Sequence, residues 1–181
     1  MQLLIRDLVA ADLPAVTALE AGEAGGWTAG QWTAELARAG GWRLVVLDSA
    51  SGRVVGYIAG MVVGSEAEIF RLLVAPDYRR RRVATALLRR LWQLLPGLGA
   101  ASCFLEVRAA NKAALGLYTK MGFKRRGLRR DYYRDPVDDA VVMGCKIVAA
   151  MVPPGFPEVD DAGRRGPPAG KRGVRPAPGT S

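Results

Sequence analysis

The chain has 181 residues, of which 50% are hydrophobic, and this suits one domain with a substantial core plus an extension. Histidine is absent, which excludes Ser-His-Asp and Cys-His catalysis and any histidine-ligated metal, so we expect no metal site. The formal charge of +9 fits a phosphorylated cofactor, a ribosomal partner or non-specific attraction to RNA, without choosing among them. Because no apolar run could cross a bilayer and the N-terminus lacks a signal-peptide layout, we expect a cytoplasmic protein without membrane contact.

The first half of the chain is predicted to begin with a strand and two helices and to continue as a three-stranded meander. Thr28 is a suitable N-cap for the second helix, and an SASG turn joins the first two strands of the meander. The predicted bounds are 2–6 for the first strand, 11–20 and 28–38 for the helices, and 42–48, 53–63 and 66–74 for the meander.

The second half alternates helices and strands and ends in an antiparallel pair. A helix from about Arg82 places Val83, Leu87 and Leu91 on one face. It is followed by a strand at 102–108, a helix at 111–121 that stops at Gly122, and two strands at 123–130 and 140–148. This order predicts an α/β (α+β) fold with a mixed, mostly antiparallel sheet and helices on both faces.

The composition changes near the end of the predicted sheet. Residues 149–181 are rich in proline, glycine and arginine and carry no periodic apolar pattern, which predicts a disordered tail behind a domain at 1–148. Cys103 and Cys145 both fall in strand-like segments, and we expect two buried, reduced thiols rather than a disulfide.

An arginine-dense turn joins the strand that ends at Val74 to the next helix. Arg79, Arg80, Arg81 and Arg82 lead into the start of that helix. Unpaired N–H groups, the positive end of the helix dipole and guanidinium charge together attract phosphate. The GxxxxGK[ST] pattern of nucleotide-triphosphate loops is absent, so the turn predicts a phosphate site of another kind.

Four motifs within residues 1–148 resemble those of a known enzyme family. They are Val74-x-Pro76-x-x-Arg79-Arg80-x-x-x-Ala84, LEVRAAN, LYTKMGF and DYY…DAVVM. The first resembles the turn of the GNAT acyl-CoA N-acyltransferases. The others resemble the RimI-type Nα-acetyltransferases of that superfamily, whose known substrate is the N-terminal alanine of a ribosomal protein. The resemblance implies a GNAT fold and acetyl transfer from acetyl-CoA to a protein N-terminus, with a ribosomal protein as the partner.

The resemblance also implies which residues bind acetyl-CoA. In the family, a splay beside the fourth strand frees N–H groups for the pantetheine and thioester, and the turn binds the pyrophosphate. The matching positions are Leu72, Leu73, Val74, Arg79, Arg80, Arg81, Arg82, Val83, Ala84, Thr85 and Asn111. Arg82 stands where the family has glycine. With helical dihedrals its N–H would still face the pyrophosphate, whereas a site that needs close approach would bind CoA more weakly.

Two side chains match the family's acid–base residues. Glu106 matches the proposed general base, although a strand carboxylate paired with Arg108 is the plainer interpretation, because alternation puts both on one face. Tyr118 matches the general acid for the CoA thiolate, although it also fits an aromatic core position. An α-amine titrates near ~7.7–8 and a lysine near ~10.4, so a terminal amine needs only modest help from the base, through a water.

Substrate recognition is expected from two loops. One holds Trp27 and Thr28 between the first two helices, and the other holds Tyr132, Tyr133 and Asp139 between the last two strands. In Nα-acetyltransferases a paired-tyrosine loop closes over the first residues of the peptide and disfavours an internal lysine. The resemblance therefore implies a peptide-binding role for both tyrosines.

Three functions remain open from the sequence. The first is Nα-acetylation of a protein, and the second is acetylation of small amines such as polyamines or aminoglycosides. The basic run from Arg125 to Arg134 disfavours the second, because cationic small substrates usually need an acidic pocket. The third is a catalytically impaired GNAT fold that binds the ribosome or RNA, suggested by Arg82, the charge of +9 and the basic tail.

Overall fold

A computed structural model describes residues 2–23 and 25–147, so the predicted tail at 149–181 lies outside the described residues. Within them are seven strands and four α-helices. They are β1 (Leu3–Asp7), α1 (Leu13–Glu20), α2 (Ala29–Ala37), β2 (Gly41–Asp48), β3 (Val54–Val63), β4 (Glu66–Val74), α3 (Val83–Leu94), β5 (Ser102–Arg108), α4 (Lys112–Lys120), β6 (Lys124–Arg134) and β7 (Val137–Lys146). This is the predicted order of elements.

The strands form one sheet in the order β1-β2-β3-β4-β5-β7-β6. Every neighbouring pair is antiparallel except β4 with β5, which is parallel. The predicted mixed, mostly antiparallel sheet is therefore confirmed. Since α3 must carry the chain from the end of β4 back to the start of β5, this one parallel pair also sets where a helix N-terminus meets the sheet.

Helices cover both faces of the sheet, as predicted. On one face α3 buries Val83, Leu87 and Leu91 in a large core that includes Leu44 of β2. On the other face the buried Trp32 of α2 and Val16 of α1 pack against Val45 and Tyr57. The successive residues Leu44 and Val45 face opposite cores because side chains alternate along a strand.

The sheet opens between β4 and β5. Their parallel pairing joins Glu66–Ile69 to Ser102–Leu105 and goes no further. Each strand continues on its outer side, β4 with β3 as far as Val74 and β5 with β7 as far as Arg108. A bulge in β4 at Phe70, between the partners of Ala59 and Gly60, coincides with the opening. The gap exposes backbone of both strands that a closed sheet would pair.

The last hairpin differs from the prediction. We expected Tyr132, Tyr133 and Asp139 in a loop, but the two tyrosines lie in β6 and Asp139 lies in β7, with the turn at Asp135–Pro136. Asp131 adopts a φ of 50° and its N–H donates to Asp139 Oδ1 at 2.9 Å. This contact and a register shift allow β6 to continue through a run of charged residues. The run lacks the apolar alternation from which strands are predicted, so the sequence indicated a loop there.

Candidate active site

A cleft of about 240 Å³ occupies the opening between β4 and β5. Its walls bring together six predicted site residues. They are Leu72, Leu73, Glu106, Asn111, Tyr118 and Tyr133. The cleft therefore joins the proposed base and acid, which come from β5 and α4, to the backbone of β4. The other predicted site residues are not among those that line it.

Glu106 is the carboxylate on the β5 side of the cleft. Its side chain is 20% exposed, and its Oε1 forms an ion pair with Nε of Arg129 at 2.9 Å. Arg108 is not its partner, because that guanidinium donates instead to the carbonyls of Asp135 and Pro136 at 2.7 and 2.8 Å. Glu106 thus pairs with an arginine of β6 rather than with its own strand.

The paired tyrosines lie beside Glu106, with ring centroids 5.2 Å apart in an edge-to-face arrangement. The Glu106 carboxylate, acting as a hydrogen-bond acceptor, raises the pKa of Tyr132. Burial, followed by the charge of Glu106, raises the pKa of Tyr133, and the Arg108 guanidinium lies 4.2 Å from the centroid of its ring. The Tyr132 hydroxyl thus already donates to Glu106, whereas the Tyr133 hydroxyl, which keeps its proton, can donate to a ligand in the cleft.

Tyr118 projects from α4 into the same cleft. Only 7% of the residue is exposed, and its ring packs edge-on against Phe123 at 5.5 Å. Burial raises the pKa of Tyr118 above its ordinary value. Among residues 2–23 and 25–147 its hydroxyl has no hydrogen-bond partner. Tyr118 is thus a core residue, as the plainer interpretation held, whose protonated hydroxyl can donate a hydrogen bond to a ligand in the cleft.

The arginine turn presents backbone N–H groups at the start of α3. The N–H groups of Val83, Ala84 and Thr85 belong to the first turn of this helix and have no partner within it. Arg80 and Arg82 both have left-handed backbones, with φ of 61° and 65°. Arg82 therefore lacks the helical dihedrals considered above. Left-handed residues within a turn can form concave anion-binding nests of N–H groups.

Arg79 and Asn111 make specific contacts around the cleft. Nε of Arg79 donates to the carbonyl of Val74 at 3.0 Å, and its Nη2 bonds Glu23 at 2.5 Å. Asn111 caps α4, since its side-chain oxygen accepts from the N–H of Ala114 at 3.0 Å. Arg79 therefore links the end of β4 to Glu23. Asn111 both caps α4 and lines the cleft.

Trp27 and Thr28 lie in the segment between α1 and α2. Thr28 caps α2, and its hydroxyl accepts from the N–H of Gln31 at 3.3 Å. Trp27 is half-buried against Trp32, at 5.0 Å between ring centroids. Both positions agree with the predicted segment, but Thr28 also has a clear structural role as a cap.

Three residues beside the cleft were missed from the sequence. Glu20, Tyr57 and Arg71 form a buried hydrogen-bonded cluster next to its β4 wall. One signal was present, because Arg71 is an isolated charge within the apolar run from Ile69 to Val74. Its partner could not be chosen from sequence, since Glu20 lies in another element.

A family model described as the acetyltransferase (GNAT) family matches residues 10–123. The chain belongs to this family. The [ribosomal protein bS18]-alanine N-acetyltransferase of Escherichia coli K12 is 39% identical over 99 residues, 54% of this chain and 67% of that protein. The N-alpha-acetyltransferase RimI of Mycobacterium tuberculosis is 40% identical over 98 residues, 52% of this chain and 60% of that protein. The crystal structure of the ribosomal-protein-S18-alanine N-acetyltransferase from Escherichia coli superposes with a TM-score of 0.74 at 32% identity, over 81% of this chain and 94% of that one.

The predicted resemblance to GNAT enzymes of the RimI type is confirmed, and the protein is an acetyl-CoA-dependent N-acetyltransferase. The residues present fit that co-substrate. The open gap beside β4 suits an extended chain, and the left-handed turn with the free N–H groups of α3 suits a pyrophosphate. In the described part of the chain no cluster of acidic and cysteine side chains could hold a metal. No helix there is long and apolar enough to span a membrane.

Proposed function

We propose that this GNAT enzyme acetylates the N-terminal α-amino group of a protein in the cytoplasm, and that the substrate is a ribosomal protein. The observation that carries the proposal is the convergence of Glu106, Tyr118 and Tyr133 on one cleft at the β4–β5 opening. The names of the similar enzymes from Escherichia coli and Mycobacterium tuberculosis support the choice of an N-terminal amine.

Different residues of the site would bind acetyl-CoA and transfer the protons. The backbone of Leu72–Val74 and the turn at Arg79–Thr85 would hold acetyl-CoA, which when bound supplies an electrophilic thioester and a thiolate leaving group. Glu106, through a water, would accept a proton from the amine, and the Tyr118 hydroxyl would hold the proton that a thiolate needs. The two groups come from different elements, β5 and α4, so they approach a ligand in the cleft from different directions.

The side chains around the amine site favour a peptide over a polyamine or an aminoglycoside. Two carboxylates line the cleft, Glu23 and Glu106, and each already pairs with an arginine, Arg79 and Arg129. Among the residues that the structure describes, the cleft lining therefore offers a polycation no carboxylate without an arginine partner. Tyr132 and Tyr133 instead offer aromatic faces, and Tyr133 also offers a hydroxyl donor to the cleft, which suits a peptide backbone.

A second property is favoured by the outer strand of the sheet. β6 lies at the sheet edge, and most of its residues are exposed. Its basic residues are Lys124, Arg125, Arg126, Arg129, Arg130 and Arg134. We propose that this strand makes non-specific contact with RNA phosphates, which would help an enzyme approach a ribosomal substrate.

The proposed acceptor can be tested against the small-amine alternative in one assay. The release of CoA thiol is measured with short peptides that begin with Ala, Ser or Met, and in parallel with spermidine and an aminoglycoside. The proposal predicts turnover on at least one peptide and background rates on both small amines. Turnover on the small amines with silence on all peptides would contradict it.

A further inference from the structure

A carboxylate is buried beside the cleft at the C-terminal end of α1. Glu20 is only 1% exposed, yet both of its oxygens are hydrogen-bonded. Oε1 accepts from the Tyr57 hydroxyl and from Nε of Arg71 at 3.1 Å, and Oε2 accepts from Nη2 of Arg71 and from the N–H of Trp27 at 3.1 Å. A buried charge is tolerated only when it is paired and bonded in this way, and such a satisfied network is rigid.

Arg71 links this carboxylate to the segment between α1 and α2. Its Nη1 donates to the carbonyl of Gly25 at 3.1 Å, and its guanidinium lies 5.6 Å from the centroid of the Trp27 ring. One side chain thus contacts Glu20, Gly25 and Trp27 together. We name residues 25–28 the wall segment, because Arg71, which lines the cleft from β4, contacts Gly25 and Trp27 within it.

The packing of the wall segment leaves it little freedom while these contacts hold. A Cβ at Gly26 would lie 2.3 Å from the carbonyl oxygen of Glu20, so the backbones meet directly there. Glu23 precedes the wall segment and accepts a hydrogen bond from Arg79 at 2.5 Å. This contact links the wall segment to the arginine turn. Burial, followed by the hydrogen bond to Glu20, raises the pKa of Tyr57, which therefore remains a hydroxyl donor in this network.

We propose that Arg71 and Glu20 are positioning residues that fix Trp27 as the acceptor-side wall of the cleft. Glu20 is not a second base, because donors already occupy both of its oxygens. The network holds the wall segment against β4, and the position of Trp27 then sets the space open to the first residues of the acceptor. The inference rests on the proposed function, since it assigns Trp27 to the side that receives a peptide.

The kinetic test compares Arg71→Met with Arg71→Lys. A lysine can pair with Glu20 but cannot also reach Gly25 and stack on Trp27, so it should rescue only in part. We expect Arg71→Met to raise the peptide KM by about tenfold, because small displacements at a binding site cost large factors, while the acetyl-CoA KM changes by less than about twofold. Arg53→Met is the matched control, because Arg53 is an exposed arginine paired with Asp77 instead. Equal changes in both KM values, or no change in either, would overturn the proposal.

A second readout needs no substrate. Trp32, Trp42 and Trp92 are buried, so acrylamide quenching of tryptophan fluorescence reports mainly on Trp27, and Trp27→Phe supplies the reference. We expect stronger quenching in Arg71→Met and intermediate quenching in Arg71→Lys, which keeps the test open if the methionine variant does not fold. Quenching equal to that of the unaltered protein in both would overturn the positioning role. Absence of turnover on every peptide by the unaltered protein would instead count against the proposed function alone.

Discussion

The Glu106 carboxylate pairs with the Arg129 guanidinium and also lines the cleft. If it is the base, Glu106→Gln keeps the shape of the side chain but cannot accept a proton. We expect kcat to fall by roughly 10²- to 10⁴-fold with little change in the acetyl-CoA KM. Glu68→Gln, which removes an exposed carboxylate from the neighbouring strand, is the control for loss of charge. A Glu106→Gln enzyme with unaltered kcat would rule out the base.

Tyr118 should act as an acid over a wide pH range. Burial raises its pKa, so the hydroxyl keeps its proton as the pH rises through the ordinary tyrosine range. Tyr118→Phe keeps the ring packed on Phe123, and we expect kcat to fall by about 10²-fold while the fold is retained. Steady-state kinetics from pH 6 to pH 10 measure this, with Tyr78→Phe as the control, because that hydroxyl bonds Asp48 outside the cleft. An alkaline loss of kcat that disappears in Tyr118→Phe would contradict the raised pKa.

For single residues, the sequence predicted a place in the cleft where a chemically suitable side chain lies within a short motif. Glu106 and Tyr118 could be predicted because each lies in a short motif, and the structure places both in one cleft. The partners of these residues could not be predicted. Glu106 pairs with Arg129 and not with Arg108. Arg129 comes near Glu106 only because β6 pairs with β7 and β7 pairs with β5, and this strand order could not be read from the sequence.

Among the elements, the turn before α3 is the most unusual. Arg82 has a φ of 65°, a conformation that costs a residue with a Cβ about 1–2 kcal/mol. The position nevertheless keeps the backbone shape that glycine would adopt easily. Arg82 therefore preserves the geometry of the turn at some cost in stability and adds a charge beside the proposed pyrophosphate site.

This geometry predicts opposite effects of glycine at neighbouring positions. Arg82→Gly removes about 1–2 kcal/mol of backbone strain and adds about 0.4–1 kcal/mol of conformational freedom to the unfolded chain. We therefore expect the stability to be unchanged or higher by up to about 1.6 kcal/mol. Arg81→Gly, at a position without positive φ, should lower stability by roughly 0.5–1 kcal/mol. Urea denaturation of both variants measures the difference. Marked destabilisation by Arg82→Gly would show that the turn does not depend on this backbone conformation.

Elements with strong periodicity or clear caps were predictable. The helix capped by Asn111 ends at Gly122, whose φ is 90°, and the N–H of Phe123 bonds the carbonyl of Tyr118 as a Schellman motif requires. The last hairpin was predicted too short, since β6 has an irregular register and almost no buried residues. Without a buried face, a strand carries little hydropathy signal.

For the whole molecule, the charge of +9 can be assigned in part to one edge of the sheet. Arg125→Gln with Arg126→Gln removes two exposed charges from β6. If β6 contacts RNA, we expect weaker binding to a ribosomal RNA fragment, and a salt dependence of the affinity that is shallower by about one to two phosphate contacts. Arg38→Gln with Arg53→Gln removes the same charge at arginines that already pair with carboxylates. Equal losses of RNA affinity in the two double variants would show that the binding depends on the net charge of the protein rather than on β6.

The most direct measurement of the central claim is turnover on one peptide in two forms. A peptide that begins with alanine and contains an internal lysine is offered with its α-amine free, and again with that amine blocked. Acetyl transfer is followed by CoA release and located by fragmentation mass spectrometry. The account predicts transfer to the free α-amine only, and loss of that transfer in Glu106→Gln. Transfer to the lysine of the blocked peptide would contradict it.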